Sequence, residues 1–290
     1  MKEIVILSGK GGSGKTSLAT SFAALGKEKI LLADYDVDAA DMHILLEAKH
    51  YKEEKFYSGF EAVINQEKCI QCGNCKILCQ FDAIEEKDNR FYINPIDCEG
   101  CGYCEMVCPE KAIKMKDAEV GNFYVSNTRF KNVLFHAKLN IGADNSGKLV
   151  SYVKKQAKKY AEEEKIDYLL SDGPPGVGCP AISSVTGANY VVIVTETSLS
   201  GFSDMKRLHE LVNNFKIPCG CIINKADLNL KVKEEILEYL EKNDISLLGE
   251  IPYNKSFPES IRQLKTVNEY DKNMAVLIKN IWEKIYKTNL

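Results

Sequence analysis

Eight of the eleven cysteines in this 290-residue chain lie in two copies of one pattern, CxxCxxCxxxC. The first copy spans residues 69–79 and the second spans residues 98–108. A shift of 29 positions superposes all four cysteines and also carries Gly73 onto Gly102 and the pair Ala-Ile at 83–84 onto the same pair at 112–113. Self-similarity at a fixed spacing indicates two copies of one small structural unit.

The spacing within each copy is typical of iron-sulfur ligation. Three closely spaced thiolates can bind one [4Fe-4S] cluster, while a fourth cysteine, three residues further on, binds the neighbouring cluster. Structural zinc favours paired CxxC units with longer separations, and disulfides are not expected in a chain without a secretory signal. The first predicted ligand set is Cys69, Cys72, Cys75 and Cys108, and the second is Cys98, Cys101, Cys104 and Cys79.

This segment resembles the bacterial two-cluster ferredoxins, in which a proline follows the fourth cysteine, as Pro109 follows Cys108 here. In the first copy Gln80 stands in the position of that proline. Proline helps to end the turn but supplies no ligand, so the difference concerns local rigidity and leaves the number of clusters unchanged. The resemblance implies a small α+β domain with two [4Fe-4S] clusters.

A second motif, GKGGSGKT at residues 9–16, follows an apolar run and precedes a stretch with helical spacing. In this context the motif predicts a phosphate-binding loop. Backbone amides and a helix N-terminus would face the phosphates, Lys15 would reach the β and γ oxygens, and the Thr16 hydroxyl would bind Mg²⁺. The predicted nucleotide contacts in this loop are Gly11, Gly12, Ser13, Gly14, Lys15, Thr16 and Ser17.

Apolar runs and helical stretches alternate along most of the chain, which predicts a doubly wound α/β fold with a mostly parallel sheet. The interval from about 59 to 117 has no long helix, so we predict a P-loop domain in two parts, 1–58 and 118–290, with an inserted ferredoxin domain at 59–117. The predicted strands are 4–7, 30–33, 133–139, 168–170, 191–194, 219–223 and 247–251. The predicted helices are 16–25, 148–164, 202–215, 231–242 and 273–286.

Lys10 is a cation that a standard phosphate loop does not need. At this second lysine the chain resembles the MinD/ParA superfamily, the deviant Walker ATPases. The resemblance implies that Lys10 crosses a dimer interface to the partner's γ-phosphate and that Asp36 orients or deprotonates the attacking water. It also implies that Asp172 holds Mg²⁺ through water and that the Gly176 amide senses the γ-phosphate.

The same resemblance extends to the base and to one further thiol. Asn224, in the sequence NKAD, matches the base-reading element and is expected to contact adenine, although NKAD alone also allows guanine through Asp227. The remainder of the resemblance favours ATP. The segment Ile251-Pro252-Tyr253, with Pro252 at its centre, is expected to line the base from the other side, although a proline turn at the end of a strand is the alternative. Cys179 has the spacing from Asp172 of a cluster ligand in the nitrogenase iron protein, but a small buried thiol is the alternative.

The net charge of the chain is -3, and residues 61–117 contain 11 acidic and 7 basic side chains, so the acidity is local to the predicted insertion. Such a surface suits a basic redox partner, although solvation alone explains it too. No feature suggests nucleic acid, and the apolar runs are too short to span a bilayer. We expect a cytoplasmic protein whose final helix docks on the sheet, with a membrane anchor as the alternative. The four histidines show no ligand spacing.

Together these features predict an ATPase that couples nucleotide state to electron transfer through two [4Fe-4S] clusters. Its expected cofactors are ATP, Mg²⁺ and the clusters, and its expected partners are a second copy of itself, bound in an ATP-dependent manner, and an unidentified redox or cofactor-assembly protein. One alternative is an ATP-dependent assembly factor for an iron-sulfur or other metal cofactor. Another is a MinD-like positioning ATPase whose clusters sense redox state.

Overall fold

A computed structural model describes residues 1–26 and 29–287. Along the chain the elements are β1 (Lys2–Ser8), α1 (Lys15–Gly26), β2 (Ile30–Asp34), α2 (Met42–Leu45), β3 (Lys49–Ile64), α3 (Asn74–Leu78), β4 (Ile84–Lys87), β5 (Arg90–Ile93), α4 (Tyr103–Met106), β6 (Ile113–Asn127), β7 (Val133–Leu139), α5 (Ser146–Glu163), β8 (Tyr168–Pro175), α6 (Cys179–Val185), β9 (Tyr190–Glu196), α7 (Leu199–Asn214), β10 (Cys219–Asn224), α8 (Leu230–Lys242), β11 (Ser246–Ile251), α9 (Ser256–Arg262), α10 (Val267–Tyr270) and α11 (Lys272–Lys287). All seven predicted strands and all five predicted helices are present, so the α/β prediction is confirmed.

The main sheet has the strand order β11-β10-β9-β1-β8-β2-β7-β6-β3. Strand β1 lies between β8 and β9 and pairs in parallel with both, and β2 pairs in parallel with β8 and β7. In the β2 and β8 pairing, Asp34 stands directly opposite Asp172. Because the carboxyl ends of parallel strands share one edge of a sheet, these two carboxylates meet beside the phosphate loop that follows β1.

Helices cover both faces of the sheet around β1. Ile4 and Ile6 belong to one buried cluster with side chains of α1 and α11, while Val5 and Leu7 belong to another with side chains of α7 and α8. The alternation follows from the two-residue period of a strand. In the first cluster the ring of Phe22 in α1 stacks on Trp282 in α11 at 5.2 Å. The predicted docking of the final helix on the sheet is therefore confirmed.

The sequence did not predict the long strands β3 and β6, of 16 and 15 residues. Most of β3 is exposed or only partly buried, and charged side chains interrupt its apolar residues. A strand with so little buried surface lacks the apolar run that marks the central strands of a parallel sheet. Between β3 and β6 the short strands β4 and β5 form an antiparallel hairpin, whose turn residues Asp88 and Asn89 have φ angles of 51° and 57°, as in a type I′ turn.

The chain divides into two compact units. The first, here the sheet unit, comprises residues 1–54, 123–138 and 146–290, and the second, here the cysteine unit, comprises residues 55–122 and 139–145. The interval 59–117 predicted as an insertion falls within the cysteine unit, whose bounds are wider, and its assignment as a ferredoxin domain stays a prediction. In the part of the chain that the structure describes, no helix is both long enough and apolar enough to cross a membrane.

The cysteine repeat is also a repeat of backbone conformation. Three pairs of positions separated by 29 residues have matching positive φ angles: Gln71 and Gly100 at 59° and 64°, Gly73 and Gly102 at 75° and 76°, and Asp82 and Lys111 at 51° each. At Gly100 a β-carbon would lie 2.1 Å from the carbonyl oxygen of Phe60, so only glycine fits there. The two CxxCxxCxxxC segments therefore fold in the same way.

Candidate functional site

A cavity of about 680 Å³ lies at the carboxyl edge of the central strands in the sheet unit. The phosphate loop forms its floor, with contributions from the segment after β2, from Pro174 and Pro175 at the end of β8, and from Asn224 and Lys225 at the end of β10. This volume suits a nucleotide. Of the residues predicted to bind or hydrolyse it, those lining the cavity are Lys10, Gly11, Gly12, Ser13, Gly14, Lys15, Thr16, Ser17, Asp36 and Asn224.

Lys15 and Thr16 both bind Asp172. The Lys15 ammonium lies 2.7 Å from one carboxylate oxygen of Asp172, and the Thr16 hydroxyl donates to the other oxygen at 2.7 Å. Asp172 is 1 % exposed, so Lys15 supplies the cation that balances its buried charge and Thr16 adds a hydrogen bond. The hydroxyl of Ser13 in the same loop is buried and has no hydrogen-bond partner. The loop therefore presents an unsatisfied donor and a cation to the cavity.

Two further carboxylates surround Lys15. Asp34 is fully buried, and its pKa is raised well above the ordinary range by burial and by the charge of Asp172. Asp36 lies 3.9 Å from the Lys15 ammonium, and burial raises its pKa to about 6, although the charge of Lys15 partly opposes that rise. Burial alone would lower the pKa of Lys15, but Asp172 raises it above its usual value. A carboxyl with a pKa near 6 is suited to accept a proton at neutral pH.

Lys10 points to a carboxylate of its own chain. Its ammonium forms an ion pair with Glu196 at 2.5 Å and donates to the hydroxyls of Ser200 at 3.1 Å and Ser198 at 3.3 Å. The other oxygen of Glu196 binds Lys225 at 2.6 Å, and Lys225 also donates to the carbonyl of Gly12 at 3.2 Å. Burial would raise the pKa of Glu196, but the hydrogen bonds from the two lysines lower it to about 2. Sequence reasoning missed Glu196.

Three residues predicted to bind nucleotide or Mg²⁺ do not line the cavity: Asp172, Gly176 and Pro252. The amide of Gly176 donates to the carbonyl of Ser8 at 2.9 Å, so that hydrogen bond would have to break before this amide could reach a phosphate. Pro252 does not line the cavity either, although Tyr253 does. Asn224 lines the cavity and donates through its side chain to the carbonyl of Ser13 at 2.7 Å, which ties β10 to the phosphate loop.

The side of the cavity beyond Asn224 is formed mostly by residues that the sequence analysis did not identify, and of its residues only Tyr253 lies in the segment expected to line the base. They come from the segment after β11 and from α9: Tyr253, Asn254, Phe257, Pro258 and Ile261. Their apolar and aromatic character suits the faces of a purine ring. Asp227, the residue that would read guanine, does not line the cavity, and one of its oxygens accepts the Tyr253 amide at 2.6 Å.

The cysteine unit contains two thiol-lined cavities. One is lined by Cys69, Cys72, Cys75 and Cys108, and the other by Cys79, Cys98, Cys101 and Cys104. Each cavity therefore combines three cysteines of one copy of the repeat with the fourth cysteine of the other copy. The Ala112 amide donates to the sulfur of Cys108 at 3.2 Å. All eight thiols are free.

No three His, Cys, Asp or Glu side chains within residues 1–26 and 29–287 are placed to bind a single metal ion. Cys179 is an exposed thiol at the start of α6, and its proposed role as a ligand stays a prediction.

The structure does bring together three histidines that the sequence analysis treated separately. The rings of His43, His50 and His136 lie 5.1 to 6.3 Å apart, and the Ser126 hydroxyl contacts His50 and His136. Burial lowers the pKa of His136 to about 3.

Solved structures with the same fold include nucleotide-binding proteins of cell division and plasmid partition. The septum site-determining protein MinD of Pyrococcus horikoshii, complexed with Mg-ADP, aligns with a TM-score of 0.59 and 18% identity over 99% of this chain and 96% of that one. A putative plasmid partition protein of Borrelia burgdorferi bound to AMPPNP aligns with a TM-score of 0.57 and 17% identity over 99% and 98% of the two chains. At these identities the likeness shows the fold alone.

Sequence comparison identifies the family. An uncharacterized protein of Methanocaldococcus jannaschii, MJ0578, is 36% identical over 98% of this chain and 96% of its own length. A second uncharacterized protein of that organism, MJ0579, is 24% identical over 79% of this chain and 82% of its own length. Residues 4–267 match the family described as CbiA, the CobQ/CobB/MinD/ParA nucleotide binding domain. The chain therefore belongs to the CobQ/CobB/MinD/ParA family of P-loop nucleotide-binding proteins.

Proposed function

We propose that this protein hydrolyses MgATP in an ATP-dependent homodimer, binds two [4Fe-4S] clusters and couples its nucleotide state to electron transfer. The observation that carries the hydrolytic part is the buried arrangement of Lys15, Thr16 and Asp172, with Asp36 beside it. Asp172 binds both the Lys15 ammonium and the Thr16 hydroxyl, the two groups expected to face phosphate and Mg²⁺. ATP binding would replace the carboxylate on Lys15 with phosphate oxygens and so change the contacts of the segment after β8.

In the proposed reaction a water oxygen attacks the γ-phosphorus, and the bond from that phosphorus to the β,γ-bridging oxygen breaks. The products are ADP and inorganic phosphate, and Asp36 accepts the proton of the attacking water. Lys15 stabilises the charge that develops on the β and γ oxygens. The Thr16 hydroxyl would bind Mg²⁺ directly and the Asp172 carboxylate would hold it through water, and the bound ion would neutralise phosphate charge.

The base contacts support ATP over GTP. Asp227 lies outside the cavity lining and accepts a backbone amide, so it has one oxygen fewer to offer to guanine. The cavity beyond Asn224 instead presents Tyr253 and Phe257, whose rings suit either purine without discriminating between them. Hydrolysis of ATP measured in competition with excess GTP tests this part of the proposal directly.

Lys10 supports the dimer. Its ammonium binds Glu196 and two serines, and within the described residues it forms no ion pair or side-chain hydrogen bond with the rest of its own phosphate loop. With 37% of its side chain exposed, Lys10 is accessible to a second subunit. We propose that in the dimer this ammonium moves to the γ-phosphate bound by the partner, where a cation stabilises the transferring group.

The iron-sulfur proposal is supported by the composition of the two thiol-lined cavities, which agrees with the ligand sets expected from the repeat. A [4Fe-4S] cluster takes one thiolate on each of four irons, so its ligands surround a group of atoms and need not converge on one ion. Each cavity supplies the four thiols that one [4Fe-4S] cluster needs, so the residues present fit the cluster. When bound, such clusters would store and transfer single electrons at low potential.

Coupling between the two parts is proposed from chain continuity. The segment that contains Asp36 leads through α2 into β3, and β3 leads into the cysteine unit. A change at Asp36 on ATP binding or hydrolysis therefore occurs in a polypeptide segment that is connected to the cysteine unit through α2 and the first part of β3. Two discrete nucleotide states would bias the exposure of the clusters to a partner protein.

A stopped-flow experiment tests the coupling. Protein purified without oxygen and reduced with dithionite is mixed with methyl viologen or a c-type cytochrome as acceptor, in the presence of MgATP, MgADP or no nucleotide. We expect the rate of electron transfer to change at least several-fold between MgATP and MgADP. Equal rates under all three conditions with both acceptors would contradict coupling, while iron and acid-labile sulfide analysis of the same sample tests cluster binding separately.

A second candidate is a positioning ATPase, and the resemblance of the fold to MinD and to a plasmid partition protein favours it. In that case the clusters would sense redox state and ATP would control attachment to a surface. The apolar face of α11 is buried in the sheet unit, which leaves little of that helix for a membrane. Co-sedimentation with anionic liposomes in MgATP and in MgADP separates the candidates, because only a positioning ATPase of the MinD type should sediment in an ATP-dependent manner.

The raised pKa of Asp36 leads to a prediction about pH. Because the proposed base must be deprotonated, and burial raises its pKa to about 6, kcat/KM for MgATP should fall about tenfold for each pH unit below 6. The pH profile of kcat/KM reports the ionisation of groups in the free enzyme, so it reports on Asp36 before substrate binds. Asp36→Asn should retain weak activity without that acid limb, and its profile also corrects for ionisation of the substrate. An identical acid limb in both proteins would exclude Asp36 as the titrating group.

A further inference from the structure

We propose that Glu196 holds Lys10 within its own subunit and that this contact must break before two ATP-bound subunits can pair. Glu196 would thereby set the affinity of the dimer, as a positioning residue that acts through Lys10. The inference rests on the proposed function, in which Lys10 reaches the nucleotide of the partner. It assigns a role to a carboxylate outside both the phosphate loop and the segments after β2 and β8.

The contact is built from three groups on one short segment. Glu196 ends β9, Ser198 caps the N-terminus of α7 by accepting the Gly201 amide at 3.1 Å, and Ser200 lies in the first turn of that helix. All three side chains bind the Lys10 ammonium. A lysine ammonium has three protons, so these partners satisfy it completely. Lys10 therefore needs no phosphate to be stable in the single subunit.

Lys225 fixes the other side of the carboxylate. Its ammonium binds Glu196 at 2.6 Å and the Gly12 carbonyl at 3.2 Å, and it thereby links β10 to the phosphate loop. Glu196 is only 13% exposed as a side chain, so it cannot simply turn into solvent when Lys10 leaves. After Lys10 leaves, Lys225 is the one remaining cation of the two that had balanced the charge of Glu196. Release of Lys10 is thus opposed by the loss of one of two cations at a half-buried carboxylate.

The partner's γ-phosphate would have to compete with this site. A phosphate group has more charge than a carboxylate and offers more acceptor oxygens, so exchange is favourable only when ATP is bound across the interface. ADP lacks the competing group, and Lys10 would stay on Glu196. The ion pair therefore favours the monomer in the ADP state and the free state without affecting nucleotide binding in either.

Glu196→Gln tests the inference, because glutamine keeps the size of the side chain and one acceptor oxygen but removes the charge that Lys10 must leave. Each dimer breaks two such partly exposed pairs, so MgAMPPNP-dependent dimerisation should strengthen about 3- to 30-fold. The dissociation constant is measured by sedimentation equilibrium on the full chain, purified without oxygen. With MgADP both proteins should remain monomeric. Glu250→Gln is the matched control, since it removes the same charge from an ion pair with Lys233 at 3.0 Å.

A double-mutant cycle separates the role of Glu196 from a general effect on the fold. Lys10→Ala should weaken the dimer, and Lys10→Ala combined with Glu196→Gln should be no tighter than Lys10→Ala alone. In ATPase assays Glu196→Gln should lower the protein concentration that gives half-maximal specific activity while leaving the plateau kcat unchanged. A structural defect would lower the plateau and would persist without Lys10.

The outcomes distinguish this inference from the proposed function. If Lys10→Ala weakens the dimer but Glu196→Gln leaves it unchanged or weakens it, the restraint by Glu196 is wrong and the dimer with Lys10 in trans stands. If Lys10→Ala dimerises as tightly as the unaltered protein, then Lys10 does not act across the interface. The proposed dimer contact and the inference would then both be wrong. If Glu196→Gln strengthened the dimer equally in the Lys10→Ala background, the inference would also be wrong.

Discussion

Lys15→Ala is expected to reduce MgATP hydrolysis by about 10³-fold and, in the absence of nucleotide, to destabilise the protein by about 3–5 kcal/mol. The first effect follows from the loss of the cation that stabilises charge on the transferring phosphoryl group. The second follows from Asp172, which is 1% exposed and would lose its only ion-pair partner within the described residues. Asp34 and Asp36 would add like charge beside it. Urea unfolding at pH 7.5 measures the decrease in the free energy of unfolding.

The destabilisation should depend on pH in a definite direction. Without Lys15 the crowded carboxylates would have raised pKa values in the folded state, so the folded variant would bind more protons than the unfolded chain at neutral pH. Its free energy of unfolding should therefore increase as the pH falls from 8 to 5, relative to that of the unaltered protein. If the difference in the free energy of unfolding between the two proteins stayed constant from pH 8 to 5, the aspartates would not depend on Lys15 for charge compensation.

Lys10→Ala provides the matched control, because both lysines belong to the same loop. The Lys10 side chain is 37% exposed and its ion pair is partly solvated, so its removal should cost less than about 1 kcal/mol. Hydrolysis should nevertheless fall, since the proposed dimer would lose its trans cation. Equal stability losses in the two variants would contradict the distinction between a buried structural role for Lys15 and an interfacial role for Lys10.

The central strands were predictable because they are buried on both faces. Runs such as Ile4–Leu7 and Val191–Val194 are continuous apolar segments, and the structure buries each of them almost completely. The strands β3 and β6 were missed for the opposite reason, because they expose charged side chains along much of their length. A pattern that reflects burial identifies only those elements whose burial is extensive.

In the site, residues within local sequence motifs were predictable, and residues brought together only by the fold were not. Lys15, Thr16 and Asp172 belong to local motifs, and the sheet register brings them together at its carboxyl edge. Glu196 was missed because its importance depends on side chains that are 186 and 29 positions away, at Lys10 and Lys225. The aromatic side of the cavity, with Phe257 in α9, depends in the same way on packing between distant segments.

The exchange of fourth cysteines between the two copies of the repeat leads to the second prediction with a large effect. Cys79 belongs to the first copy but lines the cavity that contains Cys98, and Cys108 belongs to the second copy but lines the cavity that contains Cys69. We expect Cys79→Ala and Cys108→Ala each to remove one cluster, or about four of eight irons per chain. Iron and acid-labile sulfide are measured on protein purified without oxygen, with Cys219→Ala in β10 as a control that should lose none.

Two double variants decide between exchanged and unexchanged ligand sets. Cys79→Ala with Cys98→Ala affects a single cavity and should leave about half of the iron, whereas Cys79→Ala with Cys69→Ala affects both cavities and should leave almost none. If each copy of the repeat bound its own cluster, the two results would be reversed. The comparison does not require an intact active site, because iron content is read directly. Stoichiometric zinc without labile sulfide in the unaltered protein would overturn the iron-sulfur proposal itself, since thiolates in either arrangement would then be serving a different metal.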